Sequence, residues 1–296
     1  MVEAALLNQW PDLQVEQKII KTSGDEATSA KGADSPSTAL PGAAGRKGLF
    51  TAEIENSLIA GDIDLAVHSA KDLPSTISGS TEIAAVLPRG FTDDVLVSLS
   101  RSDLKSLPNG GTIATGSVRR MHQLRSSRPD IGVIDLRGNV PTRLRKLIRH
   151  KWDGVILARA GLERLGLQPN DGTMLFEGTP LFIGFLPADV FVPAGGQGII
   201  AMQTRGDDDS VKSLVAPINH MDTHLCLRAE REFLRLLEAD CNQPVGVSAM
   251  VNGDAMTLRG QVFTSSASVA RQAQVQGKSE EGHQLANELL RRINGQ

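Results

Sequence analysis

The stretch AVHSAKDLPS, Ala66 to Ser75, places His68, Ser69, Lys71 and Asp72 on the loop after an apolar strand. A carboxylate at a strand's carboxyl end can give and take a proton, and a lysine beside it can hold an anionic substrate. Turn and cap residues ahead of Pro74 account for the same letters. This stretch alone leaves both meanings open. ATGSVRR and DLRGNVPTRLRKL supply a second set. Ser117 and Arg119 fall at a strand-to-helix junction, where free backbone N–H groups and the helix dipole favour anions. Arginine also presents a planar fork to a carboxylate. The alternative is a solvated basic face. The third feature is Cys241, in DCNQPVG. The preceding run LRAEREFLRLLEA carries Ala229, Phe233, Leu236 and Leu237 on one helical face, and Pro244 and Gly246 break it. A thiol in such a turn contributes little packing. It has no neighbouring histidine and no metal-spaced partner, so it is either idle or a point of covalent attachment. Cys226 shares the apolar helix face and is expected to pack. PAGGQG lacks the P-loop lysine and is not GxGxxG, so no nucleotide site follows from it.

Charge narrows the ligand. Arg119 to Lys151 holds ten basic residues against two acidic ones, a local +8 in a chain of net charge −3, which leaves −11 elsewhere. Such asymmetry points to a bound polyanion. Nucleic acid would call for stacking aromatics, yet these are 3% of the chain and tyrosine is absent. A small polycarboxylate or phosphate fits the charge without them. No apolar run reaches the ~18 residues of a membrane span, MVEAALLNQW does not resemble a signal peptide, and two cysteines do not make a disulfide framework. A reducing cytoplasm and no membrane partner are the expectation, nucleic acid and a small polyanion both stay open here, and with no metal-spaced set of ligands no metal is expected.

The elements that must position these groups follow from periodicity. VEAALLNQW reads as a helix and LQVEQKII as a strand, and a Gly/Ala/Ser/Thr-rich loop covers 23–48. LFTAEIENSLIAG is an amphipathic helix, and IDLAVHS, EIAAVLP and DDVLVSL are strands. PRGFTD resembles a crossover between lobes. A β-α-β-α-β-α rhythm then runs from GTIATGS to GLERLG, implying a parallel sheet with ligand groups at its strands' carboxyl ends. Arg119 with Arg120, Arg137 with Arg143, and Arg164 fall near such ends, along one rim. FVPAGGQGIIAMQ resembles a return strand. From about Met221 one long helix, strand-like stretches and a final helix form a separate α+β domain.

Together these segments resemble the porphobilinogen deaminase (hydroxymethylbilane synthase) family. GRKGLF, DLAVHSAKDLP, TGSVRR, LRGNVPTRL, LARAGLERLGL, PAGGQG and CNQPVG occur in the family's order and at near-family spacing. The resemblance implies an α/β fold of two solute-binding-protein-like lobes with mixed, mostly parallel sheets, plus a small α+β C-terminal domain. Its implied bounds are 1–88 plus 192–216, 92–191, and 221–296. It implies stepwise condensation of four porphobilinogen molecules on a covalently bound dipyrromethane, then hydrolytic release of the linear tetrapyrrole. Cys241 matches the cysteine that carries dipyrromethane as a thioether. Asp72 matches the catalytic carboxylate. It would protonate the departing amine, stabilise the cation that remains and help remove the pyrrole α-proton. Ser117, Arg119, Arg120, Arg137 and Arg143 match positions that hold the cofactor's acetate and propionate groups, with Lys47 and Lys71 facing the same cleft. Arg164 and Gln197 match substrate-binding and hinge positions.

Departures from the pattern set further expectations. The family's first strand and its Arg-x-Ser-x-Leu-Ala segment have no counterpart here. A lower stability and a weaker activity are therefore expected, with a truncated or diverged copy as the alternative. Near Ala43 a lysine is replaced, Gly116 stands where serine is usual, Ala239-Asp240 replaces Gly-Gly, and Asn242 replaces Gln. The stretch 168–189 is longer than usual. A non-catalytic bilobal organic-anion-binding protein would share the lobes but has no need of Cys241 in its motif or of Asp72 beside Lys71.

Overall fold

The computed structural model describes residues 1–20, 47–100, 103–167, 172–238, 243–263 and 269–296, with 47–50 as backbone only. Three sheets organise it. The first joins β1 (Ala66–Ser69), β9 (Ile200–Arg205) and β2 (Thr81–Val86), both pairings antiparallel. Helix α1 (Val2–Gln9) packs Val2 and Leu6 into its core with Ala85, Leu87 and Met202. Helix α2 (Lys47–Ile59) precedes β1.

The second sheet has six strands. β3 (Asp94–Ser98) and β6 (Gly154–Ala158) are buried at every position, as strands covered on both faces must be. β4 (Thr112–Ala114) pairs in parallel with β6 and with β5 (Gly132–Ile134). The crossovers are α3 (Val118–Ser127) and α4 (Val140–His150). Asn139 caps α4 by accepting from Thr142 N, and Pro141 sits in its first turn, where no N–H is needed. The short α5 (Arg159–Glu163) follows β6. The third sheet is a meander of β10 (Val245–Asn252), β11 (Ala255–Val262) and β12 (Arg271–Lys278). Against it pack α7 (Met221–Leu236), which follows α6 (Asp209–Val215), and α8 (Gly282–Ile293). Cys226, Ala229 and Phe233 are buried in that core, so Cys226 packs as its periodicity implies.

The mixed α/β class is borne out and the rhythm's parallel strands form as β4, β5 and β6, but the sheets are less parallel than the resemblance implies. Among the described residues only the two β4 pairings are parallel. β3 pairs antiparallel with β6 and with β8 (Thr179–Phe185), and the first sheet has no parallel pair among the described residues. Among the described residues, helical crossovers join parallel neighbours only between β4, β5 and β6. Two further expectations change. LQVEQKII is not a strand: residues 13–20 have no ladder, and Ile19 is 89% exposed. A strand exists through its partner's hydrogen bonds, and no described strand pairs with it. The long stretch 168–189 holds an unforeseen hairpin, β7 (Thr173–Phe176) and β8 (Thr179–Phe185). Glu177 (φ 48°) and Gly178 (φ 80°) make its two-residue turn in the left-handed region, which suits the twist of the flanking strands.

The chain between β2 and β3 runs beside the return leading to β9, with Gly90 N donating to Gly198 O at 3.0 Å. Glu230 of α7 reaches into this junction. It accepts from Arg89 at 2.6 and 3.3 Å, from Gly196 N at 2.7 Å and from Ala249 N at 2.7 Å. One buried carboxylate thereby ties the two crossovers to the third sheet. Glu230→Ala would leave the Arg89 cation and two N–H donors without their acceptor. The expected loss is roughly 3–5 kcal/mol of unfolding free energy, as for breaking a buried pair on one side. Urea denaturation measures it, and a loss below about 1 kcal/mol would remove this junction from the account.

Candidate functional site

Asp72 closes a single 3-10 turn, Ala70–Asp72, at the end of β1. Three contacts fix that turn. Ala70 N donates to Ile199 O at 3.0 Å. Gly196 lies against it with φ +75°, and a Cβ there would stand 2.8 Å from Ala70 C and Lys71 N. Both the close approach and the backbone angle require glycine, which gives PAGGQG its purpose. On the other side Arg231 donates to Pro74 O at 2.9 Å and Ser75 O at 3.0 Å. The Asp72 carboxylate is exposed and has no hydrogen-bond partner among the described residues.

Cations surround it. Burial pushes Lys71 down to about 8; the negative charge of Asp72 opposes this and Arg120 adds to it. Burial also brings Arg143 down to about 10, with repulsion from Arg120 and Arg137 and support from Asp72. Arg164 is lowered by burial, again against Asp72. Its Nη1 donates to Ser69 Oγ at 3.2 Å, bridging the first and second sheets. Arg137 is partly exposed and pairs with Asp135 at 2.8 Å. The structure therefore brings Asp72, Lys71, Arg120, Arg137, Arg143 and Arg164 into one electrostatic cluster.

Arg119 and Arg120 do not sit on an open rim. Each is 5% exposed, and both pair with the buried Asp94, at 2.8 and 2.7 Å. Arg119 also donates to Gln123 Oε1 and Val192 O, and Arg120 to Ile156 O. Burial alone would raise the Asp94 carboxyl, but the two guanidinium groups override it and hold it well below the usual carboxylate range. Sequence reasoning missed Asp94. Its one signal was a carboxylate opening the otherwise apolar DVLVS. Gln197 also donates to Asp94 Oδ1 at 2.9 Å and to Thr92 O at 2.6 Å, which leaves its buried Oε1 as an unpartnered acceptor. The Ser117 hydroxyl oxygen caps α3 by accepting from Arg120 N. His68 lies within β1, not on the loop; it is buried, meets Gln203 at 3.0 Å and is lowered by that burial, so it belongs to the core. At Gly116 a Cβ would stand 2.4 Å from Leu136 O, so this backbone has no room for a serine. Cys241 and the Lys47 side chain lie outside the described residues. The described flanks are Glu238, left-handed at φ 49° just beyond α7, and Gln243 before β10.

The donor set has a definite chemistry. Lys71, Arg143 and Arg164 feel the charge of the exposed Asp72 carboxylate, Arg120 and Arg137 lie beside them on Asp94 and Asp135, and the buried Arg120 Nε has no partner among the described residues. Lysine and arginine only donate. The cluster thus suits a group that brings several carboxylates, with Asp72 as its one exposed acid-base residue among the described residues.

Known proteins resemble this chain in sequence. The family model described as "Porphobilinogen deaminase, dipyromethane cofactor binding domain" matches residues 1–213, and that of the "Porphobilinogen deaminase, C-terminal domain" matches residues 224–293. The porphobilinogen deaminase of Syntrophomonas wolfei is 41% identical, covering 98% of this chain and 89% of its own. That of Roseiflexus sp. (strain RS-1) is 41% identical over 98% and 90%. The Syntrophobacter fumaroxidans protein of the same name is 42% identical over 88% and 78%. Among solved structures, the Bordetella pertussis BvgS VFT2 domain aligns at a TM-score of 0.34 and 17% identity, over 56% of this chain and 66% of that one.

Proposed function

The chain belongs to the porphobilinogen deaminase family, and on that premise we propose how its residues divide the work. The family's activity, transfer of porphobilinogen units to make hydroxymethylbilane, is this chain's activity, and its cofactor is dipyrromethane. When bound, dipyrromethane supplies the primer whose free ring position is extended. Cys241 would hold it through a thioether. Ser117, Arg119, Arg120, Arg137, Arg143, Lys47 and Lys71 would hold its carboxylates, with the buried Asp94 fixing the guanidinium groups of Arg119 and Arg120 in place. Arg164 takes a carboxylate of the incoming porphobilinogen. Gln197 Oε1 accepts a substrate N–H where the crossovers meet.

Asp72 carries the chemistry. It gives a proton to the aminomethyl nitrogen as the C–N bond breaks and ammonia leaves. Its anion then lies beside the developing cation, a preorganised electrostatic stabilisation. After the new C–C bond forms, it accepts the ring α-proton. The observation that carries this assignment is the exposed Asp72 carboxylate on a turn clamped by Gly196 and Arg231, amid cations that would orient anionic pyrroles.

The domain division 1–88 plus 192–216, 92–191 and 221–296 belongs to the same proposal. Each of the three divisions contains one of the three sheets, the first completed by β9, which returns within 192–216. So do a monomeric state and a cytoplasmic site of action without membrane or nucleic-acid partners; gel filtration and cell fractionation check these. No helix among the described residues is long and apolar enough to cross a membrane. The deciding experiment adds p-dimethylaminobenzaldehyde in acid to the purified protein. A bound dipyrromethane colours, whereas an organic-anion carrier or a nucleic-acid binder stays colourless.

Lys71 sets a pH dependence. With a pKa of about 8 in the cofactor-free protein, it is charged below that pH and neutral above it. Its hold on a carboxylate is therefore lost as pH rises. Uptake of dipyrrole by cofactor-free protein from porphobilinogen should fall as pH passes through about 8. Lys71→Arg keeps the charge, because arginine does not titrate in this range, and should flatten that limb. An identical descending limb in the variant would clear Lys71 of the role.

A further inference from the structure

Helix α7 presents more charge than the reaction uses. Its outer face lines a groove of about 450 Å³, closed on the far side by β2 and the loop before it, with Leu227, Ile77 and Ile83 at its apolar floor. The acids in this groove already have partners. Glu232 pairs with Arg235 at 2.7 Å and meets His283 at 3.5 Å, and Glu82 meets Lys212 at 3.5 Å. Two cations do not. Arg231 is half-buried, and its hydrogen bonds go to the carbonyls of Pro74 and Ser75, which carry no charge. Arg228, one turn earlier, has no hydrogen bond or ion pair among the described residues, and its charge reaches His224.

Two uncompensated guanidinium groups about one turn apart, beside two histidines and over an apolar floor, favour a compact anion with several charged oxygens. We propose that this groove binds a small oligoanion of the phosphate or polycarboxylate class, held by Arg228 and Arg231 and separate from the cleft around Asp72. The position gives such a ligand a means of control. Arg231 fixes the carbonyls just after Asp72, and α7 leads toward Cys241. An anion in the groove ties these two parts together and restrains the turn that carries the catalytic carboxylate. That regulatory consequence rests on the family assignment, whereas the binding site does not.

The test uses the cofactor-loaded protein, whose cleft cations are already engaged. Isothermal titration with pyrophosphate and with citrate, in chloride buffer at constant ionic strength, should give saturable one-to-one binding of at least one of them. The phosphate arm and the carboxylate arm then identify the class. Arg228→Gln replaces an exposed side chain, so the fold should survive. It should weaken binding by roughly 10-fold or more, as removal of a charge-assisted contact does. The rise in melting temperature that the anion gives the unsubstituted protein should shrink with it. Three outcomes overturn the proposal: no saturable binding up to about 10 mM, equal affinity in Arg228→Gln, or loss on Arg143→Gln with retention in Arg228→Gln, which places the anion in the cleft. The aldehyde colour reaction is read on the unsubstituted protein, where none of these outcomes alters it, so failure here is separable from failure of the reaction assignment.

Discussion

Cys241→Ser protein should purify at the mass of its polypeptide, stay colourless with the acid aldehyde reagent and make no measurable hydroxymethylbilane. The unsubstituted protein should exceed its sequence mass by two linked pyrrole units. The difference comes from the nucleophile. A thiol is intrinsically reactive and is partly ionised near neutral pH, whereas a hydroxyl needs an adjacent base. DCNQPVG contains no histidine or lysine to act as that base. Without the sulfur no primer is tethered, and every later condensation lacks its starting point. Stability should change little beyond loss of the ligand's own contribution, since the substitution lies between the end of α7 and the start of β10. Intact-mass measurement after expression with ample porphobilinogen decides the matter. A dipyrrole on the serine variant, or none on the unsubstituted protein, contradicts the assignment.

Asp72→Asn separates assembly from turnover. The variant should still acquire its dipyrrole through Cys241, but form tetrapyrrole at least ~100-fold more slowly, the effect expected of a positioned acid-base group. A factor of 100 corresponds to about 2.7 kcal/mol of barrier. The fold should tolerate the change, because the carboxylate is exposed and unbonded among the described residues. The variant should also shift Lys71. The Asp72 charge is the principal influence holding that ammonium up against burial. Removing it lowers the Lys71 pKa further, so the limb of dipyrrole uptake should move below pH 8. Near-normal turnover in Asp72→Asn, measured by porphobilinogen consumption, would take Asp72 out of the mechanism.

Much of this site was legible because its determinants are local. The alternation of apolar strand and amphipathic helix from Thr112 to Glu163 needs only neighbouring residues, and β4, α3, β5, α4, β6 and α5 form where it predicts. Asp72 beside Lys71 follows from a strand ending in polar residues, and Cys226 from a helical period. Family motifs then attached roles to these positions, and two matching family models cover most of the chain.

The rest was decided by tertiary structure, because it depends on which distant groups meet. The clustering of Arg119, Arg120 and Gln197 on Asp94 joins residues up to 103 positions apart, and nothing within DDVLVSL names those partners. The need for glycine at 196 appears only when the backbone of Ala70 and Lys71 lies 2.8 Å from its missing Cβ. LQVEQKII has the alternation of a strand but no described strand to pair with, while TMLFEGTPLFIGF becomes a hairpin through a left-handed turn at Glu177 and Gly178. Periodicity determines which face of an element is apolar. Hydrogen-bond partners, ion pairs and the room for a side chain are properties of the assembled chain, and only the packed structure supplies them.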